Sequence, residues 1–405
     1  MITTLSLKEA QRRILSMTSP GEQETLPLPA VLGRICAHST GAVIPVPSFN
    51  HSTRDGFAVR SRDLRKAAPD RPLLLPVVGM IAAGRLDPPP CPKGSAIRIM
   101  TGAAIPPGAD QVIPFEEVIE CNQGITSRNP GRPGRFIRKR GSDLNLNRII
   151  IKDGESIQPD HLALLATAGV EELTIYQKPS VAILTTGSEL IRPGQEPRPG
   201  EVISSNGYLL GGLIKSDGGK LTTLSSAGDN EALILAKLDT ILAGQPRIII
   251  STGGMGPGDY DLMGTVLDQL GVTKVYQDLA VRPGRATIFG HRKSTLFFAL
   301  PGPPPAVRLL YNELIRPALR KIGGSRQTAP AWHARLNTSI NNLRPGIMKL
   351  MGGVHSQNND GLTVRPAEKI EPITCVMVIP ANRRSLKAGE RITIHPAMGA
   401  GLAER

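Results

Sequence analysis

The chain has 405 residues, of which 40% are hydrophobic and 3% aromatic, and its 48 Lys and Arg against 34 Asp and Glu leave a net charge of +14. That length implies about two to four domains with ample core, and the hydrophobic content excludes a disordered chain. The positive balance favours anionic partners without choosing between nucleic acid, an acidic membrane and a phosphorylated small molecule. Pro, Gly or charge interrupts every apolar run before about 18 residues and no signal-peptide core is evident, so neither membrane spanning nor secretion is expected. Cys36, Cys91, Cys121 and Cys375 lack CxxC or CxxH spacing. This argues against a zinc site or disulfide framework and for a reduced, cytoplasmic setting.

In chain order, Ser6-Leu-Lys-Glu9 is a capping-box pattern, and Leu7, Ala10, Ile14 and Leu15 then recur at helical spacing. Pro27, Pro29 and Pro45 break up the apolar residues 24–46. Asp55-Gly56 is a turn signal before the strand Phe57-Ala-Val59, and Asp55 reads first as a turn-capping carboxylate. Residues 73–118 alternate short strands with Gly/Pro turns, as in an inserted β domain. Its most strand-like segment, Ala96-Ile-Arg-Ile-Met-Thr-Gly-Ala103, carries Thr101 at its end. Residues 127–143 hold six basic residues among Pro and Gly. With one aromatic and no nucleic-acid-binding pattern nearby, this run reads as a solvated loop, and no nucleic-acid partner is expected. Residues 148–177 read as a strand and a helix with Leu162, Leu164, Leu165 and Ala168 on its apolar side.

A βα alternation opens at Pro179: strand 181–185, the turn Thr186-Gly-Ser-Glu189, a helix near 206–216, strand 221–225 and a helix near 230–242. Next comes Ile248-Ile-Ile250, a buried parallel strand, followed by Ser251-Thr-Gly-Gly-Met-Gly-Pro-Gly-Asp-Tyr-Asp261. Glycines at 253, 254, 256 and 258 let backbone N–H groups approach an anion, and Asp259 and Asp261 could hold a magnesium ion that bridges to a phosphate. Glycine-rich strand-to-helix turns also occur without a ligand. A helix near 261–270, a strand near 274–277 and the strand leading into Pro301-Gly302 and a helix to about 322 complete a doubly wound, mainly parallel sheet. Ligands bind such sheets beyond the C-terminal strand ends. That rule gathers Glu189, Asp229, Asp261 and Pro301-Gly302 at one edge, although each acid alone also reads as a helix-terminal charge or N-cap. Residues 327–405 return to short β segments, 363–365, 374–379 and 391–395, as in a second small β domain, with His395 in a structural role.

Ser52-Thr-Arg-Asp-Gly-Phe-Ala-Val59, Ile97-Arg-Ile-Met-Thr-Gly-Ala103, Ile137-Arg-Lys-Arg-Gly-Ser-Asp143, Thr186-Gly-Ser-Glu-Leu190 and Ser251-Thr-Gly-Gly254 together resemble the molybdopterin molybdenumtransferase family, MoeA and the C-terminal domain of gephyrin. The resemblance implies a homodimer of four-domain subunits: a discontinuous linker domain (1–44 and 144–177), an inserted β domain (45–143), a MogA-like α/β domain (178–326) and a C-terminal β domain (327–405). It implies a cleft between the α/β domain and the partner's β module, where adenylylated molybdopterin is hydrolysed, AMP leaves and molybdate enters the dithiolene. It assigns catalysis to Asp55, Thr101, Asp143 and Glu189, and magnesium to Glu189, Asp229 and Asp261. Substrate contacts fall to Arg138, Thr186, Gly187, Ser188, Gly253, Gly254, Arg282, Arg285, Pro301 and Gly302. Further partners would be a MogA-like adenylyltransferase and molybdoenzyme maturation proteins.

Several positions depart from the family pattern. Arg282 and Arg285 stand where Lys is usual, Asp278 replaces a customary Lys, Gly256-Pro257 a Ser-Val and Pro303 an Asn. In the last domain Ile347 and Gly352 replace two cations, and an anion loop after Arg365 is shortened to Pro366-Ala-Glu-Lys-Ile-Glu371. The departures leave a second reading open, a paralogue that binds molybdopterin or molybdate without turnover.

Overall fold

A computed structural model describes residues 4–255, 262–328, 330–359 and 361–397. Helix α1 (Leu7–Ser16) starts where the Ser6 side chain accepts the Glu9 N–H, and it buries Leu7, Ala10 and Ile14. Strand β1 (Gln23–Pro27) runs antiparallel to a later strand, β8. The inserted module contains β2 (His51–Ser52), β3 (Gly56–Val59), β4 (Val77–Ile81), β5 (Ala96–Ile99), β6 (Gln111–Pro114) and β7 (Ile137–Arg138). Its main sheet has the order β4-β5-β3-β6, and β2 pairs with β7. Helix α2 (Pro159–Thr167) then leads to β8 (Glu172–Tyr176). The apolar side expected for α2 is corrected at one position: Leu165 and Ala168 are buried and Leu162 partly so, but Leu164 points outward at 50% exposure.

The α/β region comprises β9 (Ser180–Thr186), α3 (Asn206–Ser216), β10 (Lys220–Ala227), α4 (Glu231–Ala243), β11 (Ile248–Thr252), α5 (Leu262–Gln269), β12 (Thr273–Asp278), β13 (Val281–Arg282), β14 (Ala286–Arg292), β15 (Thr295–Leu300), α6 (Pro304–Leu310) and α7 (Arg316–Ile322). Its sheet has the order β10-β9-β11-β15-β14-β12, parallel across the first four strands and antiparallel beyond. Strand alternation serves both faces: Val181, Ile183, Ile248 and Ile250 pack toward α3, α6 and α7, while Ala182, Leu184 and Ile249 pack toward α4 and α5. Each fully buried Ile or Leu contributes about 1.5–3 kcal/mol, so the central strands are committed to two-sided burial. Strand β14 was not read from the sequence.

The C-terminal region holds β16 (Trp332–Leu336), β17 (Met348–Asn358), β18 (Gly361–Pro366), β19 (Cys375–Ile379) and β20 (Arg391–Pro396). Its order is β13-β17-β18-β16-β20-β19, and a β17–β19 pairing closes the last five strands into a small barrel. Two of these, β16 and β17, were not expected from sequence; Gly352 and Gly353 interrupt the apolar pattern of β17. No helix among the described residues is long and apolar enough to cross a membrane.

The barrel is tied to the α/β region by a buried carboxylate. Between α6 and α7 lies a π-helical turn, Tyr311–Ile315, and its Glu313 side chain is 1% exposed. Glu313 accepts from Gln11 of α1 at 3.3 Å and Asn312 at 3.1 Å, and lies 2.8 Å from His395 Nδ1 of β20. His395 is thus a structural connector, as expected. The Glu313 hydrogen bond raises the His395 pKa above its usual 6.5. A raised folded-state pKa gives stability that is complete below the unfolded value and is lost as pH rises through the folded value. His395→Gln should therefore destabilise the protein more at about pH 5.5 than at about pH 8.5, on either side of the ordinary histidine range. Urea unfolding midpoints at the two pH values test this; equal losses would contradict it.

Candidate active site

The C-terminal ends of the parallel strands converge on backbone contact. Gly253 follows β11 at φ +93°, and a Cβ there would stand 2.2 Å from the Thr186 carbonyl oxygen that ends β9. Gly302, after β15, packs against Gly253 with an ideal Cβ 3.9 Å from its Cα. The Gly253 N–H donates to Leu300 O at 3.1 Å. Thr186 and Thr252 are buried, and the Thr186 hydroxyl donates to the Thr252 carbonyl at 3.3 Å. These loops border a cleft of about 470 Å³, whose lining includes Thr186, Gly187, Glu189, Asp229, Gly253, Gly254 and Gly302. Ser188 and Pro301 are not part of the lining.

Among the described residues, two carboxylates line this cleft. Asp229 was read as an N-cap or a metal ligand; the cap of α4 is instead its neighbour Asn230, which accepts the Leu233 N–H at 3.0 Å. Asp229 is locked to the opposite loop, accepting the Ser188 N–H at 2.8 Å while its own N–H donates to Ser188 Oγ at 2.8 Å. Glu189 folds back over Gly187, both carboxylate oxygens lying 2.7 Å from an ideal Gly187 Cβ. Its carboxylate has no hydrogen-bond or ion-pair partner among the described residues, although its backbone carbonyl accepts the Val202 N–H at 2.8 Å. Asp259 and Asp261, with Gly256, Pro257 and Gly258, lie outside the described residues. No described cluster of three or more His, Cys, Asp or Glu forms a ready-made metal cage. The unbonded Glu189 carboxylate and the Asp229 carboxylate, which keeps one oxygen without a described partner, line the cleft with Ser204 and suit magnesium, a hard cation that uses one or two protein carboxylates and keeps waters and phosphate oxygens for the rest.

Asn206, missed by the sequence reading, also lines the cleft at the start of α3. Its Nδ2 donates to Gly302 O at 2.8 Å and Thr252 Oγ1 at 3.3 Å, bracing two strand-end loops. The Ser204-Ser-Asn run, polar residues at a helix start, was its only sequence signal.

The second group of expected residues sits on the β module, outside the cleft of the same chain. Asp55 Oδ1 accepts both the Thr101 N–H at 2.6 Å and the Thr101 hydroxyl at 2.8 Å. Those bonds, the backbone one first, hold the Asp55 carboxyl below the usual range. From the end of β7, Arg138 grips Asp143 as a fork, Nε at 3.1 Å and Nη2 at 2.6 Å, and lowers its pKa in turn. That pair is open to solvent, at 52% and 37% exposure.

Arg282 and Arg285 are not in the cleft wall. Arg282 lies on β13, which joins the barrel through β17, and Arg285 approaches Asp278 at 4.0 Å. In the barrel, Arg365 is taken up by Glu371 in a two-pronged pair at 2.7 and 2.6 Å. A Cβ on Gly352 would meet Ile373 Cγ2 at 2.5 Å, so the space of a cationic side chain there is filled.

Such an arrangement, a strand-end cleft with backbone glycines and carboxylates beside a separate β module, defines a multidomain α/β protein with its candidate site at the C-terminal strand ends. The chain matches the MoeA N-terminal region (domain I and II) over residues 5–169 and the probable molybdopterin-binding domain over residues 182–321. It is 30% identical to the molybdopterin molybdenumtransferase of Haemophilus influenzae, covering 97% of this chain and 98% of that protein, and 29% identical to the one of Staphylococcus epidermidis over 97% and 95%. A crystal structure of the molybdopterin biosynthesis MoeA protein from Pyrococcus horikosii superposes with a TM-score of 0.88 at 28% identity, covering 97% of this chain and 99% of that one. The chain belongs to the molybdopterin molybdenumtransferase family.

The loop contacts make a paired test. Gly253→Ala places a Cβ into the Thr186 carbonyl at a strained φ and should cost about 2 kcal/mol or more. Gly302→Ala meets nothing closer than 3.9 Å among the described residues and should stay within about 0.5 kcal/mol of wild type. Denaturant unfolding of both variants checks the contrast, and equal losses would remove backbone contact as the reason for Gly253.

Proposed function

We propose that this protein inserts molybdate into adenylylated molybdopterin with release of AMP, as a magnesium-dependent homodimer in the cytoplasm. Family membership makes it a transferase of molybdenum cofactor biosynthesis. One observation carries the mechanistic reading: the cleft wall contains Glu189 and Asp229 but no Lys or Arg among its described residues. A pyrophosphate cannot settle beside two carboxylates without compensating cations. Glu189 and Asp229, with Asp261, would hold magnesium, which supplies charge neutralisation at the pyrophosphate when bound. The backbone at Gly253 and Gly254 lets the phosphates approach without steric conflict.

The remaining positive charge fits the β module of a second subunit. The exposed Arg138–Asp143 pair is weakly held in solvent, so Arg138 can turn its fork to a phosphate. Asp143 and Asp55, both held below the usual carboxylate range, stay ionised at neutral pH. Each is then an acceptor able to orient an attacking water, with the Thr101 hydroxyl fixed on Asp55. A second reading, a binder without turnover, is favoured by the Arg365–Glu371 pair, which withdraws a cation from the barrel surface.

Two expected outcomes separate these readings. Glu189→Gln keeps its shape and breaks no existing hydrogen bond, so its melting point should match wild type while AMP release falls by about a hundredfold or more, the scale of losing an electrostatic stabiliser. Unchanged AMP release would take Glu189 out of the site, and absence of AMP release from the wild type would favour the binder. If Asp55 acts across subunits, mixing inactive Asp55→Ala and Glu189→Ala chains restores activity. Random exchange makes half the dimers mixed, each with one intact cleft, so recovery should approach about a quarter of wild type. No recovery after demonstrated exchange would contradict a shared cleft.

A further inference from the structure

A second cavity, of about 390 Å³, lies at the opposite end of the α/β sheet from the cleft. It opens beside Pro179, just before β9, and Asp217-Gly218, just before β10, and α7 and the N-terminal region supply its other walls. Among the described residues its lining holds five cations, Arg34, Lys178, Lys215, Arg316 and Arg320, against one acid, Asp217. That acid is already satisfied. Asp217 is 3% exposed; one oxygen accepts Arg316 Nε at 3.0 Å and the other accepts the Tyr311 hydroxyl at 2.9 Å. Arg34 is likewise engaged, by Glu24 at 2.6 Å and the Tyr176 carbonyl at 2.9 Å.

Three cations therefore remain without an ion pair among the described residues: Lys178, Lys215 and Arg320. Arg320 is half-buried, and among the described residues its side chain makes one hydrogen bond, a marginal 3.5 Å contact with Gln327. A guanidinium has five donors, so most of the Arg320 fork is unused. Burial and the like charge of Arg316 both push the Arg320 pKa down, and the same two causes act on Arg308 in α6. Positive charge is thus concentrated where solvent compensates it poorly, and an anion in the cavity would relieve that cost.

We propose that this cavity is a second anion site, which binds a phosphate-bearing small molecule through the fork of Arg320 with Lys178 and Lys215 at its mouth. A volume of about 390 Å³ is at the small-ligand end of protein pockets and exceeds the needs of a single phosphate, so a diphosphate or a nucleotide fits the class. Its walls come from the N-terminal region, the turn after α3 and α7, and a bound anion would draw these three together.

Metal-free titration isolates this site, because without a divalent cation the carboxylate-lined cleft repels pyrophosphate. In EDTA at low salt, calorimetry of the full-length protein with inorganic pyrophosphate should find one saturable site per chain, weakening as salt rises. Arg320→Gln should weaken it roughly ten- to a hundredfold, the size of a charge-assisted hydrogen bond. Arg320→Lys, which keeps the charge but not the fork, should fall between, and Lys178→Gln should lose several-fold. A parallel titration with AMP separates a nucleotide from an inorganic ligand: tighter AMP binding assigns the former, tighter pyrophosphate the latter. Melting curves without ligand should show Arg320→Gln no less stable than wild type, since it removes an unpaired cation. Absence of saturable pyrophosphate binding, or equal affinity in a folded Arg320→Gln variant, would overturn the proposal.

Discussion

The site depends on how closely three strand-end loops can approach. At Gly253 the chain leaves β11 against the Thr186 carbonyl, with no room for a side chain, and Gly302 closes on Gly253 from β15. Two-sided burial of β9, β11 and β15 fixes where those strands end, so the loops have little freedom to separate. Asn206 and the reciprocal Ser188–Asp229 bonds then hold the rim. The carboxylates at the cleft are positioned by backbone geometry more than by one another.

Charge is partitioned with similar economy. The chain carries +14 overall, yet the cleft presents acids, while basic side chains gather on the β module and at the far end of the sheet. An acidic cleft recruits a divalent cation, and an anionic substrate then needs further cations from a surface that is not part of the same wall. The fold would meet that need if two copies juxtaposed the β module and the α/β region, as in the dimer proposed above.

The C-terminal barrel keeps its fold while its polar groups are occupied internally. Ile373 occupies the space a side chain at residue 352 would need, and Glu371 neutralises Arg365 within the loop that follows it. The barrel keeps its hydrophobic filling and its anchor at Glu313 and His395. Its structural role and any contribution to ligand binding are therefore separable.

Much of this was legible in the sequence. The Ile248-Ile-Ile250 run, the βα alternation from Pro179 and the turn at Asp55-Gly56 are local signals, because strand periodicity, caps and glycine freedom act over a few residues. They placed Glu189 and Asp229 at strand ends, and the neighbouring Asn230 took the cap assigned to Asp229. The sequence did not reveal β14, whose pairing depends on β15 and β12, nor β17, whose glycine-interrupted run is held by pairing with β18 and β19. It could not show that Leu164 faces outward or that Arg282 joins the barrel. Asn206 gave almost no local signal, since its role exists only when α3 lies beside Gly302. Local chemistry, in short-range steric and hydrogen-bonding terms, was thus determined by the sequence alone. Which loops share a cleft, and which cations remain unpaired, was decided by sheet order and packing between residues far apart in the chain.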